Sequence, residues 1–160
     1  MTNQGDQDEK GVIAVATNRK ARHDFFIEET YEAGLVLLGT EVKSLRDKRV
    51  DLTDSFARFE KEALFLYNAH ISPYTHGNIA NHDPLRKRKL LLTKREVARL
   101  FGKIQQKGLT LIPLGLHFNK RGWAKVTLAL ARGKKQYDKR AVLAKKSADR
   151  EIERGMKRSR

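Results

Sequence analysis

The sequence contains no cysteine, and that one absence excludes disulfides, thiolate catalysis and every zinc site built on Cys ligands. Only three prolines occur, so most of the chain is free to form continuous helices and strands. Apolar runs stay short, as at Leu35 to Leu38, far below the roughly 20 residues of a membrane-spanning helix. The N-terminus lacks the basic-then-apolar layout of a signal peptide, and no lipidation motif offers an anchor. A cytoplasmic chain with no membrane partner is expected.

Catalytic constellations are equally scarce. Serines are few and none sits in a Gly-x-Ser-x-Gly elbow. Glu28 and Glu29 are adjacent in a presumed strand, where neighbouring side chains point to opposite faces. No phosphate-binding glycine loop is present. His70, His76 and His82 recur every six residues, a spacing that aligns ligands on neither a helix nor a short turn, so no metal site is expected. No cofactor, small-molecule substrate or catalytic residue is expected either. The remaining enzymatic reading, a ribonuclease using His23 or His117, needs two positioned acid–base groups.

What the sequence does hold is positive charge. Lys and Arg number 34 against 19 acidic residues, for a net charge of +15 and a pI near 10.2. Residues 132–160 hold twelve basic side chains against four acidic ones, which leaves +8, about half the total in under a fifth of the length. Three further basic runs lie at Arg19 to His23, Lys43 to Arg49 and Arg86 to Lys89. One such run is usually a solvated face, but four on a small chain point to a polyanion, with nucleic acid the leading candidate. Tyr31, Tyr74, Trp123 and Tyr137 interleave with the charges. Trp123, following Gly122 after a turn, is read as partly buried core. Tyr137 has no apolar neighbours to bury it, which leaves two readings, a ring that stacks on a base or sugar and an idle exposed side chain.

Periodicity predicts the elements. Residues 1–11 read as a polar leader, 12–132 as one compact domain and 133–160 as a basic tail. Phe25 to Leu38 alternates as a half-buried strand with a bulge or bend at Gly34, and Thr40 to Lys48 reads as a short helix. Ser55 to Phe59 and Ala63 to Ile71 form a hairpin, with Phe65, Tyr67, Ala69 and Ile71 on one face. A long loop from Ser72 ends in Arg86-Lys87-Arg88-Lys89. Thr93 and Glu96 make a capping box for a helix with Val97, Leu100, Phe101 and Ile104 at helical spacing and Gly108 as its stop. Strands from Thr110 to Phe118 and Ala124 to Leu130 flank a turn at Asn119 to Gly122, and Pro113 marks an edge or a bulge. The fold class is therefore mainly β with α: an OB-like antiparallel barrel with about three helices and a conditionally ordered basic tail, disordered when free and helical on RNA.

The segments Asn18-Arg19-Lys20-Ala21-Arg22-His23, Ile27 with Glu28, Tyr31-Glu32-Ala33-Gly34 and Gly39-Thr40-Glu41-Val42-Lys43-Ser44-Leu45-Arg46 closely resemble the SsrA-binding protein (small protein B) family. So do Arg88-Lys89-Leu90-Leu91-Leu92 and Gly133-Lys134-Lys135-Gln136-Tyr137-Asp138-Lys139-Arg140, in unbroken order from about Val12 to the C-terminus. The resemblance implies a monomeric, non-catalytic OB-like barrel that binds the tRNA-like domain of transfer-messenger RNA and delivers it to stalled ribosomes. It implies an RNA-facing set of Asn18, Arg19, Lys20, Arg22, His23, Glu32, Lys43, Arg46 and Lys125, to which the basic segments add Arg88, Lys89, Lys134 and Lys135. Glu32 would face base or ribose donors rather than phosphates.

The family's tail is implied to enter the decoding region and the empty messenger channel, here through Tyr137, Asp138, Lys139 and Arg140 and onward through Lys145 and Lys146. Ala148 and Gly155 stand where some relatives carry a tryptophan and a large aliphatic, which thins the apolar side of a tail helix. The alternative reading is a general ribosomal or tRNA-binding structural protein.

Overall fold

The computed structural model describes residues 11–76, 80–106 and 108–158, so the expected leader lies, but for Gly11, outside the described residues. The elements in order are β1 (Ile13–Thr17), α1 (Arg19–Asp24), β2 (Phe25–Leu35), α2 (Gly39–Arg46), β3 (Val50–Asp51), β4 (Phe56–Glu60), β5 (Ala63–Tyr67), β6 (His70–Ile71), β7 (Arg88–Leu91), α3 (Lys94–Ile104), β8 (Leu109–Phe118), β9 (Ala124–Gly133) and α4 (Gln136–Arg158).

Hydrogen bonding runs β8-β4-β5-β7-β2-β9 and returns to β8, so six antiparallel strands close into a ring. Closure satisfies strand edges that an open sheet would leave unpaired. It works because β2 and β8 are long enough to serve more than one neighbour. β8 pairs along one edge with β9 and divides the other between β4, at Ala57 opposite Leu111, and β1. The expected OB-like barrel is thus present, with α1 to α3 attached to it and α4 continuing beyond β9.

Alternation along the strands separates two apolar layers. Leu64, Leu66, Leu111, Leu116, Val126 and Leu128 point inward into the barrel core. Ile112, Leu114, Ala129 and Ala131 point outward, yet they are buried because α1 covers them through Ala21, together with Phe25, Ile27 and Phe56. The small side chains of Ala129 and Ala131 leave room for that helix. Asn18 fastens it: the Asn18 carboxamide oxygen accepts from the Ala21 amide at 3.2 Å, and its Nδ2 donates to the Leu52 and Pro113 carbonyls at 3.2 and 3.0 Å.

Several boundaries differ from expectation for identifiable reasons. β2 stops at Leu35, and its irregularity falls between Ile27 and Glu29 rather than at Gly34. Gly34 instead permits close approach of β7, since a Cβ there would lie 3.3 Å from the Leu91 Cβ. The expected face of Phe65, Tyr67, Ala69 and Ile71 is split: Asn68 adopts φ 59°, which reverses the alternation, so Leu64 and Leu66 are buried before it and Ala69 and Ile71 after it. The bulge suggested by Pro113 is present, between Pro113 and Gly115. The capping box at Thr93 and Glu96 forms with 3.2 Å bonds in both directions, and α3 ends at Ile104, before Gly108 turns the chain into β8 with φ +86°.

Candidate nucleic-acid interface

The outward face of β2, β9 and β8 gathers the expected residues from distant parts of the chain. Alternation turns Glu32, Lys125 and His117 outward, and register makes them neighbours: Glu32 lies opposite Thr127, Gly34 opposite Lys125, and Lys125 opposite His117. The His117 Nε2 is 3.3 Å from a Glu32 carboxylate oxygen. Glu32 remains well exposed. The same outward face continues into the apolar patch beneath α1, whose Arg19, Lys20 and Arg22 are exposed. Lys20 pairs with Asp54 at 2.9 Å. His23 is partly exposed, with its Nδ1 2.9 Å from the Asp24 carboxylate.

At the other end of this face, α2 supplies Lys43 and Arg46. Both are exposed; Lys43 lies 5.3 Å over the Tyr74 ring and Arg46 is 5.3 Å from the Phe118 ring. A groove of about 250 Å³ runs between α2, β2, β7 and β9, bounded by Val42, Gly34, Leu91, Trp123 and Lys125. Trp123 is 64% exposed, which corrects its reading as core. Asn119 explains the placement: its side chain accepts from the Arg121 and Trp123 amides at 3.0 and 2.9 Å, closing a turn in which Gly122 takes φ +78°. The ring therefore stands at the turn, on the groove wall beside Lys125.

Two expected contacts are placed elsewhere. Asn18 is buried under α1 and spends its polar atoms on the fold. Arg88, expected in a basic loop, begins β7 and is wholly buried, bonded to Glu41 and to the Ala69 carbonyl at 2.7 Å. Lys89 points outward and is exposed, across the strand pair from Phe65. The Asn81, His82 and Arg88 side chains hold the loop before β7. Asn81 bonds the Tyr74 main chain, and the buried His82 ring bridges Thr40 and the Ile71 carbonyl at 2.9 Å each. Among the described residues, no three His, Asp or Glu side chains gather as a metal would require.

The basic tail leaves at the end of β9. Lys134 is half-buried, its ammonium 3.3 Å from the Arg22 carbonyl and 4.9 Å over the Phe26 ring. Lys139 pairs with Asp24 at 3.3 Å. Lys135, Arg140, Lys145 and Lys146 are exposed. Tyr137 and Asp138 fall within α4, but their side chains lie outside the described residues.

The family model described as SmpB protein matches residues 15–158. The chain belongs to the SmpB family. An SsrA-binding protein of Halothermothrix orenii is 59% identical over 146 residues, 91% of this chain and 94% of that one. The SsrA-binding protein of Geobacillus thermodenitrificans is 60% identical over 143 residues, 89% and 92% of the two chains. A solved structure described as "tmRNA-SmpB: a journey to the center of the bacterial ribosome" aligns with a TM-score of 0.65 at 63% identity, covering 77% of this chain and 86% of that chain.

For this SmpB chain, sequence reasoning missed Trp123 and Leu91 as exposed wall residues, 64% and 51% exposed. A signal for the tryptophan was available: Val126, Leu128 and Leu130 are inward, so the same alternation turns Trp123 outward with Lys125. Leu91 gave no comparable signal, because its four-residue strand was hidden in a basic run.

Proposed function

We propose that the chain is a non-catalytic RNA adaptor of trans-translation. Its barrel holds the tRNA-like domain of transfer-messenger RNA on the outward β2–β9–β8 face, and its tail accompanies that RNA into a ribosome stalled without a stop codon. The observation that carries the reading is the gathering of α1, Glu32, His117, Lys125 and exposed Trp123 on one continuous face, with the basic tail rooted beside α1. Such a face suits a folded RNA: lysines and arginines meet phosphates, Glu32 accepts from base or ribose donors, and Trp123 offers a ring for an unpaired base. The names of the SsrA-binding relatives and of the tmRNA-SmpB structure point the same way.

The tail supplies the second half of the adaptor. Tyr137, Asp138, Lys139 and Arg140 are read as the segment that meets the decoding region, and Lys145 and Lys146 as contacts along the vacant messenger path. A basic helix can test vacancy because messenger would occupy the same phosphate-lined path. Ala148 and Gly155 leave its apolar side thin, so the helix gains its full order on RNA. A chain acting on bacterial ribosomes works in the cytoplasm. In keeping with this, no helix among the described residues is long and apolar enough to cross a membrane.

A competition assay at fixed, stated salt tests the reading, with labelled transfer-messenger RNA displaced by unlabelled transfer-messenger RNA or ordinary tRNA. Selective displacement by transfer-messenger RNA is expected. Equal displacement by both would overturn it in favour of a general tRNA-binding or ribosomal protein.

A further inference from the structure

Glu32 and His117 meet although a whole strand lies between them. Across the outward face, Glu32 on β2 stands opposite Thr127 on β9, and Thr127 opposite Gly115 on β8; in the next row Gly34, Lys125 and His117 take the same three places. The two side chains are therefore diagonal partners, and the 3.3 Å contact from the His117 Nε2 to the Glu32 carboxylate spans β9. Gly115, which shares a row with Glu32, brings no side chain to block that diagonal.

The two ends of the contact are unequal. The His117 side chain is 21% exposed, seated between Ala14 of β1 and Lys125 of β9, whereas Glu32 is 57% exposed. An exposed glutamate left to itself samples several rotamers, and an interaction that needs one of them must first order it. The imidazole is the anchored half, so it draws the carboxylate off β2 toward the middle of the face. A carboxylate has no proton to give, so the histidine Nε2 carries the hydrogen and donates it. Lys125 shares the row of His117, yet among the described residues its ammonium has no partner. The acid is thus held by the histidine and not spent on the neighbouring lysine, which keeps a cation for phosphate apart from an acceptor for base or ribose donors.

We propose that His117 is a positioning residue for RNA recognition: it holds the Glu32 carboxylate over β9 in the orientation that accepts from a base or ribose donor, and it does so without contacting a phosphate itself. The inference rests on the RNA reading of this face given above and adds to it the residue that orders its one acidic contact. Donor recognition carries selectivity whereas phosphate contacts carry affinity, so His117 acts on which RNA is bound through a side chain other than its own.

A double-mutant cycle on the full-length chain tests this, read as affinity for transfer-messenger RNA at fixed, stated salt. His117→Ala should weaken binding about 2- to 10-fold, the cost of ordering one long side chain on binding. His117→Gln, whose amide can donate from a similar reach, should restore most of the loss. In a Glu32→Ala background, His117→Ala should cost nothing more, and the slope of log affinity against log salt should match that of the parent. Circular dichroism checks that each variant keeps its strands; if His117→Ala does not, His117→Asn, polar but short of the carboxylate, takes its place in the cycle. Parent-like binding by His117→Ala or by Glu32→Ala overturns the proposal, as does an equal loss from His117→Ala with Glu32 already removed. A salt slope lowered by about 1 in His117→Ala also overturns it, because the imidazole would then be a phosphate contact. Equal displacement of transfer-messenger RNA by ordinary tRNA would sink the adaptor reading, while the same cycle run on tRNA would still decide whether His117 acts through Glu32.

Discussion

Arg88 and Glu41 form an ion pair with no exposed surface on either side chain. Around it, Arg86 reaches the same carboxylate at 2.5 Å, the Leu38 amide donates to it at 2.9 Å, and Arg88 donates onward to the Ala69 and Pro84 carbonyls at 2.7 and 3.2 Å. The network ties α2 to β7 and to the loop between β6 and β7. It is therefore what holds Lys43 and Arg46, both on α2, in place over one end of the candidate RNA face.

Removing half of this pair should cost far more than a surface charge. Glu41→Gln leaves the Arg88 guanidinium buried without its counter-charge, and a loss of about 3–5 kcal/mol is expected in urea unfolding. The pH profile adds a check. Burial pushes the Glu41 carboxyl up, but bonds from Arg86, the Leu38 amide and Arg88 together hold it below its ordinary value of 4.5. Its contribution should be fully present above pH 4.5 and fade as pH falls through the depressed folded value, and Glu41→Gln should flatten that part of the profile. A stability loss below about 1 kcal/mol would show that the network does not carry this end of the barrel.

Glu29 should give a second acid-sensitive component, where α3 meets β2. Bonds from Lys103 and Tyr31 lower its carboxyl from 4.5 to about 2 and fasten the helix to the strand. Stability from this contact is present above pH 4.5 and is lost as pH falls toward 2. Glu29→Gln should therefore reduce the slope of stability against pH in that window and leave neutral-pH RNA binding intact. An unchanged slope would count against the contact.

Asn18 separates fold from recognition. Asn18→Ala leaves the Ala21 amide uncapped and removes donors to two buried carbonyls, so a loss of about 1–3 kcal/mol is expected in thermal or denaturant unfolding. Arg22→Ala, one turn away and exposed, should leave stability unchanged and weaken RNA binding. Equal stability of the two variants would return Asn18 to the RNA surface.

Trp123 and Lys125 share a groove wall but should fail differently. Trp123→Ala removes an exposed ring and should weaken transfer-messenger RNA binding by about 1–3 kcal/mol with little change in melting temperature. Lys125→Ala should lower the dependence of log affinity on log salt by about 1, the signature of one lost phosphate contact. A Trp123→Ala variant that melts early and binds normally would make the ring structural after all.

These residues also show why some of the molecule is legible in its sequence and some is not. Alternation and apolar content locate β8 and β9, because one set of side chains enters the barrel core and the outward set in their middle is buried under α1. The Thr93–Glu96 box locates α3, because capping is local chemistry. Arg88 misleads because a buried guanidinium looks in sequence like any member of Arg86-Lys87-Arg88-Lys89, and only the distant Glu41 distinguishes it. Asn18 misleads for the same reason: its bonds to Leu52 and Pro113 span 34 and 95 positions. Long-range satisfaction of polar groups leaves no periodic trace. The two short strands β3 and β6, two residues each, are too brief to carry one.

Cutting the chain after Lys135 tests whether barrel and tail divide the work. The cut keeps all of β9 and retains Lys134, whose amide bonds the Asp24 carbonyl, so the barrel should fold as before. It removes nine basic and four acidic side chains, a net loss of +5. Non-specific RNA affinity should fall with that charge, and its salt dependence should weaken. Preference for transfer-messenger RNA over tRNA should survive, since the β2–β9–β8 face is intact. In a reconstituted system with ribosomes stalled on truncated messenger, tagging of the nascent chain should be lost. If selectivity and tagging vanished together, the tail would have to contribute to recognising the RNA itself, and the division between a binding barrel and a ribosome-reading helix would fail.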